Sequence, residues 1–190
     1  MNKLYITINS GKFKGKKLVL PSMETTRSTK SIVKGSFFDT FRYEISGAIF
    51  IEVFGGSGSM AAEALSNGAK KAYAIEKDFN AFKILKENFK NLDKNLLAIN
   101  ADSFVKIHEI IKNIDEKIII YIDPPFSIRD GKEQIYEMTI KMIEKFSNQN
   151  IFLIAIEHIS SVEFKLKIGQ FKKIKSKKFG LTTLSYYEKS

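Results

Sequence analysis

The 190-residue chain contains no cysteine, only three prolines and only two histidines. The lack of cysteine excludes a disulfide framework and a thiolate-bound metal. The two histidines are not spaced as ligands, so no metal is expected. Long apolar runs are also missing. The opening MNKLYITINSGK has no apolar signal core, and the longest apolar stretches, such as Ile151 to Ile156, are strand-sized. Neither secretion nor membrane spanning is expected, and the cytoplasm is the expected location. At 44% hydrophobic residues the chain suffices for one substantial core and a small appendage.

Negative charge is scarce at both ends. Residues 1–34 carry eight basic side chains against one acid, Glu24, and residues 161–190 carry eight against two. The middle, 35–160, holds fifteen basic and eighteen acidic residues, so the net charge of +10 resides in the two ends. Lysine-rich ends can serve solubility alone. If they meet in space, they form a polyanion grip around a nearly neutral body, and nucleic acid is the natural partner.

The few prolines are concentrated. Two of them are adjacent in Asp123-Pro124-Pro125-Phe126, directly after the apolar run Ile118-Ile119-Ile120-Tyr121-Ile122. A β-branched run that stops at an acid reads as a buried strand emptying into a loop. Consecutive prolines fix φ twice and hold the preceding acid extended. The loop therefore offers a carboxylate, stiff carbonyls and a flat ring, which suits gripping a planar base by its amino group.

Short strands are expected at 3–8 and 16–20, joined by the basic turn Ser10-Gly11-Lys12-Phe13-Lys14-Gly15. A polar segment holding Arg27 follows, then a helix from about Ile32 to Tyr43. Strands at 49–54, 71–76, 96–100, 118–122 and 151–157 alternate with helices at 58–67, 79–91, 103–113 and 132–147. Residues 163–175 and 180–187 read as two strands joined around Phe179-Gly180 without a helix. This pattern predicts an α/β fold, with a mostly parallel seven-stranded sheet covered on both faces and ending in an antiparallel hairpin. That domain spans 45–190, after a basic hairpin-and-helix extension over 1–44.

The first strand of the alternating series leads into Glu52-Val53-Phe54-Gly55-Gly56-Ser57-Gly58-Ser59-Met60-Ala61. Glycines let backbone pass close to a ligand, and the helix that follows offers free N–H groups. Gly56-x-Gly58-x-x-Ala61 also fits a dinucleotide fingerprint, with Glu76 where a ribose-binding acid belongs. Two details favour another ligand. Glu52, just before the glycines, is awkward beside a pyrophosphate but suits a cationic or zwitterionic group. Asp102 follows the third strand, where it can accept from an adenine amino group. Acids ending strands one, two and three describe a pocket for S-adenosylmethionine, holding its amino-acid end, ribose and adenine in turn. Lys77 and Ser103, next to two of these acids, belong to the same pocket.

An exocyclic amine is a poor nucleophile, because its lone pair is delocalised into the ring. Hydrogen bonds from the NH₂ to Asp123 and the Pro124 carbonyl favour a nitrogen moving toward tetrahedral geometry. Phe126 stacks on the base and fixes its plane. Holding amine and methyl carbon in line is a positioning effect, of about 7–11 kcal/mol in favourable cases.

These motifs resemble class I methyltransferases of the [Asp/Asn/Ser]-Pro-Pro-[Tyr/Phe/Trp] amino-methylating group, and more narrowly the bacterial RsmD family. The resemblance covers nearly the whole chain. Ser10-Gly11-Lys12-Phe13-Lys14-Gly15-Lys16-Lys17-Leu18 is similar to that family's basic hairpin, and Arg27-Ser28-Thr29 stands where it has Arg-Pro-Thr. Phe54-Gly55-Gly56-Ser57-Gly58 resembles its glycine loop and Glu76-Lys77-Asp78 its Glu-Lys-Asp. Ile156-Glu157-His158 and Gly180 to Tyr187 resemble its last strand end and closing hairpin. Glu52 replaces the usual Asp, Ser10 and Ser28 replace Gly and Pro, and lysine largely replaces arginine in the ends, giving up bidentate phosphate recognition.

The resemblance implies a Rossmann-like fold and methyl transfer from S-adenosylmethionine to N2 of a guanine in 16S rRNA, within a small ribosomal subunit particle. It also implies a monomer, with Lys12, Lys14, Lys16, Lys17, Arg27 and Arg129 as RNA contacts. Arg27 reads equally well as a cofactor contact or an ordinary exposed side chain. His158 reads as a hydrogen-bonded loop histidine, and Tyr186 and Tyr187 as packing residues of the edge hairpin. Three other readings stay open: amino-methylation of adenine or cytosine in DNA or another RNA, a nonenzymatic RNA-binding assembly factor, and a nicotinamide-dependent oxidoreductase.

Overall fold

The structure is a computed structural model and describes residues 4–21, 27–125 and 133–190, without the side chains of 27–29 and 133. Two short antiparallel strands, β1 (Tyr5–Thr7) and β2 (Lys17–Val19), form a hairpin of their own. Helices α1 (Arg27–Thr40) and α2 (Arg42–Ile45) lead into the main sheet. There β3 (Ile49–Glu52), β4 (Lys71–Glu76), β5 (Leu96–Asn100), β6 (Ile118–Ile122) and β7 (Ile151–Ile159) run parallel. Helices α3 (Ser59–Ser66), α4 (Phe79–Lys90), α5 (Ser103–Lys112) and α6 (Glu133–Glu144) alternate with them. The chain closes with β8 (Lys167–Ile168), β9 (Phe171–Phe179) and β10 (Thr182–Lys189), all antiparallel to their neighbours.

The sheet order is β5-β4-β3-β6-β7-β10-β9-β8. From β3 the chain first winds outward through β4 and β5, then returns to place β6 on the opposite side. The carboxyl ends of β3 and β6 thus flank a topological switch point, where open α/β sheets bind ligands. Every residue of β3 and β6 is buried, as befits central parallel strands covered on both faces.

Two apolar layers cover the sheet. On one face Ile107, Ile111, Ile143 and Phe146 of α5, α6 and the turn after α6 pack on Ile49, Ile51, Ile120 and Ile154. On the other, residues of α3 and α4 share a layer with Ile6, Ile8, Phe13, Leu18, Val33 and Phe37 from the N-terminal segment. The Phe37 ring lies 6.0 Å from Phe50, 5.3 Å from Tyr121 and 6.5 Å from Tyr186, centroid to centroid. The N-terminal hairpin and helix therefore build on the core of the sheet and have none of their own.

Three elements differ from the sequence expectation. The first helix starts at Arg27, five residues before Ile32, because its first turn is polar and apolar periodicity does not register it. It ends at Thr40, and α2 takes up the following turn. The strand expected at 163–175 begins at Phe171: Gly169, at φ +56°, turns the chain so that Ile168 pairs with Phe171. The resulting two-residue β8 is an eighth strand beside the seven expected. Among the described residues no helix is long and apolar enough to cross a membrane.

Candidate active site

A cavity of about 600 Å³ opens at the carboxyl ends of the parallel strands. Phe54 and Gly56 after β3, Glu76 and Lys77 at β4, Asp102 and Ser103 at β5, and Asp123, Pro124 and Pro125 at β6 all line it. Ile75, Phe104, Ile135 and Met138 give it apolar walls. This size and mix suit a small organic ligand with a few directed polar contacts. A larger hollow of about 770 Å³ runs along the open edge of β5 but contains none of the strand-end acids.

The glycine loop divides its residues between structure and cavity. Gly55 donates its N–H to the Ile75 carbonyl at 2.7 Å and packs on Ala74 and Leu85. Gly58, at φ +75°, is the N-cap residue of α3 and fits closely under Phe89 and Leu85. Gly56, at φ +50°, faces open space: an added Cβ would meet nothing within 4 Å. Its N–H donates to Glu76 Oε2 at 2.8 Å, while Asp78 N–H donates to Glu76 Oε1 at 2.8 Å. Both oxygens of Glu76 are thereby aimed before any ligand arrives. Asp102 caps α5 by accepting from Phe104 N–H at 3.0 Å and takes the Lys77 ammonium at 2.8 Å. The Lys77 hydrogen bond holds the Asp102 carboxyl below its ordinary range.

Glu52 has a role that patterning does not reveal. It ends β3, is buried, and accepts from Ala61 N–H at 3.0 Å and Met60 N–H at 3.4 Å. Because the N-cap residue of α3, Gly58, has no side chain to cap with, this carboxyl group at the end of β3 satisfies the first turn of the helix. Burial outweighs these hydrogen bonds and pushes the Glu52 carboxyl up to about 8.

Glu52 also lines a second, small cavity of about 60 Å³, joined there by Lys30, Lys34, Gly55, Ser57, Tyr121, Asp123 and Glu157. Lys30, Phe54, Gly56 and Asp123 line both cavities, so the two adjoin. Lys30 Nζ lies 3.5 Å from Asp123 Oδ2. Asp123 Oδ1 is buried with no hydrogen-bond partner among the described residues. Tyr121 Oη donates to Glu157 Oε2 at 2.6 Å. Burial raises Asp123 against the pull of Lys30; it raises Glu157 as well, and the charge of Asp123 adds to the effect. Burial works against the Lys30 charge, but Asp123, Glu157 and Glu52 together outweigh it and raise its pKa.

The basic turn of the N-terminal hairpin docks at the far end of α3. Lys12 N–H donates to the Ser66 carbonyl at 2.8 Å, and Phe13 N–H to Ser66 Oγ at 2.8 Å. Glu63, fully buried, accepts from Asn9 and Ser10 N–H and pairs with Lys34 Nζ at 2.9 Å. Lys12, Lys14, Lys16 and Lys17 are exposed, and Lys12 reaches Asp93 at 3.1 Å. With an 8-residue helix between them, this turn stands about 12 Å along α3 from the glycine loop.

Nine of the expected site residues thus share one cavity, and Glu52, Gly55 and Ser57 adjoin it. Phe126 and Arg129 lie outside the described residues, as does the Arg27 side chain. Lys30, Tyr121 and Glu157 were missed. An acid inside the apolar strand Ile151–Ile159 was the available signal for Glu157, and lysines four apart in a helix were the signal for Lys30 and Lys34. His158 sits within β7, with Nε2 2.8 Å from Ser185 Oγ; it is a buried strand residue, where a loop histidine was expected. Tyr186 and Tyr187 are fully buried in β10.

Strand order, closing antiparallel hairpin, glycine loop and strand-end acids define a class I methyltransferase fold. The solved structure of the Escherichia coli protein yhhF, described as a methyltransferase, superposes with a TM-score of 0.75 at 25% identity, covering 98% of this chain and 99% of that one. The Bacillus subtilis protein YlbH is 29% identical over 184 residues, 95% of this chain and 97% of its own. Ribosomal RNA small subunit methyltransferase D of Escherichia coli is 30% identical over 142 residues, 73% of this chain and 67% of its own. The family described as Conserved hypothetical protein 95 matches residues 6–188. The chain belongs to this family, the RsmD family of methyltransferases.

Proposed function

We propose that this protein methylates the exocyclic N2 amine of a guanine in 16S rRNA, with S-adenosylmethionine as methyl donor and a small-subunit particle as substrate. The observation that carries the chemistry is Asp123: a carboxylate directly after the central strand β6, stiffened by two prolines, with one buried oxygen unpartnered among the described residues beside the ligand cavity. The relatives named ribosomal RNA small subunit methyltransferase D support the substrate class. Membership in a methyltransferase family sets the nicotinamide reading aside.

The residues present fit the donor. Open space at Gly56 admits a ligand against backbone, Glu76 offers oriented oxygens to ribose hydroxyls, and Asp102 and Ser103 stand where an adenine edge would lie. Phe54 and Phe104, in edge contact at 5.5 Å, flank the same space. The acids Glu52 and Glu157, in the adjoining small cavity, suit the ammonium of the amino-acid end. When bound, S-adenosylmethionine supplies an electrophilic methyl group on a sulfonium. Asp123 and the Pro124 carbonyl accept from the target NH₂ and turn its lone pair toward that group. Phe126 stacks on the base, which must be splayed out of its stack at about a few kcal/mol. Residues 1–44 act as the RNA-contacting extension through Lys12, Lys14, Lys16, Lys17 and Arg27, with Arg129 beside the reaction loop, and 45–190 as the methyltransferase domain.

The test is methyl transfer to undermodified small subunits with wild type and Asp123→Ala. The expected result is a fall in transfer of about 100-fold or more, an order of magnitude typical of removing a positioned proton acceptor, while S-adenosylmethionine affinity changes little. Unchanged transfer removes Asp123 from the mechanism. Mass mapping of methylated guanines in 16S rRNA from cells with and without the gene identifies the nucleotide; no missing guanine methylation would overturn the substrate.

A further inference from the structure

An amine that gains a methyl group must also lose an N–H proton, and in the proposed reaction Asp123 is the acceptor beside it. Asp123 is not an isolated carboxylate. It shares the small cavity with Glu157, which lies on the adjacent strand β7 in parallel register with β6. Glu157 holds the Tyr121 hydroxyl at 2.6 Å through Oε2, whereas Asp123 Oδ1 keeps a free acceptor position among the described residues. We infer that Asp123 and Glu157 form a proton-sharing pair: Asp123 takes the amine proton, and Glu157 acts through it as a positioning residue that keeps Asp123 basic. The pairing rests on the proposed methyltransferase chemistry.

The step balances simply. The N–H bond of the methylated, positively charged nitrogen breaks with its electron pair left on nitrogen. An O–H bond forms on Asp123 Oδ1, so a cation and a carboxylate become a neutral amine and a carboxylic acid. Two ionised carboxylates in one buried cavity repel, so one proton between them is favoured. An ionised Glu157, pinned by Tyr121, therefore makes Asp123 a stronger acceptor than an isolated aspartate. Lys30 at 3.5 Å favours the ionised form of Asp123 and so opposes its protonation before reaction.

The charged and titratable groups around Glu157 come from every neighbouring element. They are Tyr121 and Asp123 at β6, Lys30 and Lys34 of α1, Glu52 of β3, Tyr136 of α6 and Tyr186 of β10. His158 turns its ring to Ser185 on the opposite face of the strand. Burial raises the proton affinity of both acids, in keeping with a shared proton.

Two variants test the pairing, Glu157→Gln, which keeps shape and an acceptor for Tyr121, and Tyr121→Phe. The first readout needs no turnover. S-adenosylmethionine is titrated calorimetrically into RNA-free protein in buffers of different ionisation enthalpy, which counts protons released. A cation entering the site lowers the proton affinity of the acids, so wild type is expected to release protons near pH 7 and few above about pH 9. Glu157→Gln should release on the order of half a proton fewer, with Glu52 supplying the remainder. The second readout is the pH profile of single-turnover methylation of small subunits. Glu157→Gln should lower the plateau about tenfold or more and move the ascending limb to lower pH, because Asp123 loses its like-charged neighbour. Tyr121→Phe should move the limb to higher pH, because the pair loses a hydrogen bond to its ionised form. Unaltered proton release and an unmoved limb in both variants overturn the pairing, even if rates fall. Failure of wild type to bind S-adenosylmethionine overturns the methyltransferase reading instead.

Discussion

The Lys30 ammonium nitrogen lies 3.5 Å from Asp123 Oδ2, linking the first helix of the chain to the loop expected to grip the target base. The ion pair makes the N-terminal segment part of the site as well as part of the core. Lys30→Gln removes the cation that opposes burial at Asp123. The carboxylate fraction at neutral pH then falls, so methylation at pH 7 should drop several-fold and recover as pH is raised. A pH–rate profile checks this; a uniform reduction at every pH would mean that Lys30 only supports the fold.

Gly56 and Gly58, two residues apart, should respond differently to alanine. At Gly58 a Cβ would lie 2.3 Å from Phe89 Cε1 and 2.4 Å from Leu85 Cδ1, with φ at +75°. Overpacking of about 1–3 kcal/mol adds to left-handed strain of about 1–2 kcal/mol, and the denaturation midpoint should fall clearly. At Gly56 the Cβ meets nothing. Gly56→Ala, at φ +50°, should therefore cost only the left-handed strain of about 1–2 kcal/mol and chiefly weaken S-adenosylmethionine binding. Urea unfolding and calorimetric titration of both variants make the comparison.

Glu63 fastens the hairpin to α3. Its carboxylate serves two hairpin amides, the Ser10 hydroxyl and Lys34, with Glu63 and Lys34 side chains 0% and 2% exposed. Glu63→Ala leaves a buried ammonium and two amides without their partner, and should destabilise by about 3–5 kcal/mol. Urea titration measures this directly. Glu63→Gln, which retains an acceptor, should be milder.

Glu52 predicts an unusual pH dependence of the ligand-free protein. Its folded carboxyl keeps a proton up to about 8, whereas the ordinary value is 4.5. Over that window the folded state binds more protons than the unfolded chain, so this group's contribution to stability falls as pH rises and levels off above about 8. Asp123 and Glu157, also raised, act with the same sign. Melting curves from about pH 5 to about pH 9 should slope less steeply for Glu52→Gln than for wild type; identical slopes would refute the assignment.

The exposed hairpin lysines should matter for RNA and little for stability, since a solvated pair such as Lys12–Asp93 contributes at most about 1 kcal/mol. Replacing Lys12, Lys14, Lys16 and Lys17 by alanine should weaken RNA binding and flatten the log–log salt slope by about 0.7–0.9 for each phosphate no longer neutralised. S-adenosylmethionine affinity should be unchanged. An unaltered salt slope would leave these lysines with solubility alone.

Much of this protein was legible in its sequence, because the informative signals are local. The strands Lys71–Glu76, Leu96–Asn100 and Ile118–Ile122 have the expected bounds, since short, mostly apolar runs stop at acids and turn residues. Helices α4 and α5 begin where Asp78 and Asp102 can cap them, within the reach of a few residues. By contrast, the turn at Gly169, packed on Glu144, and the cap that Glu52 provides for α3 depend on neighbours elsewhere in the chain. Periodicity has no access to such partners.

The sequence by itself determined the alternating α/β order, the glycine loop, the strand-end acids and the rigid Asp123-Pro124-Pro125 turn, all set by short-range sterics and patterning. Only the tertiary structure decided what those acids face. Glu157 meets the Tyr121 hydroxyl across 36 residues of sequence, and Glu63 meets Asn9 across 54. Only folding brings Lys30 to Asp123. Burial removes water from these pairs, so their protonation and strength follow from where the sheet places them, not from their own residue types.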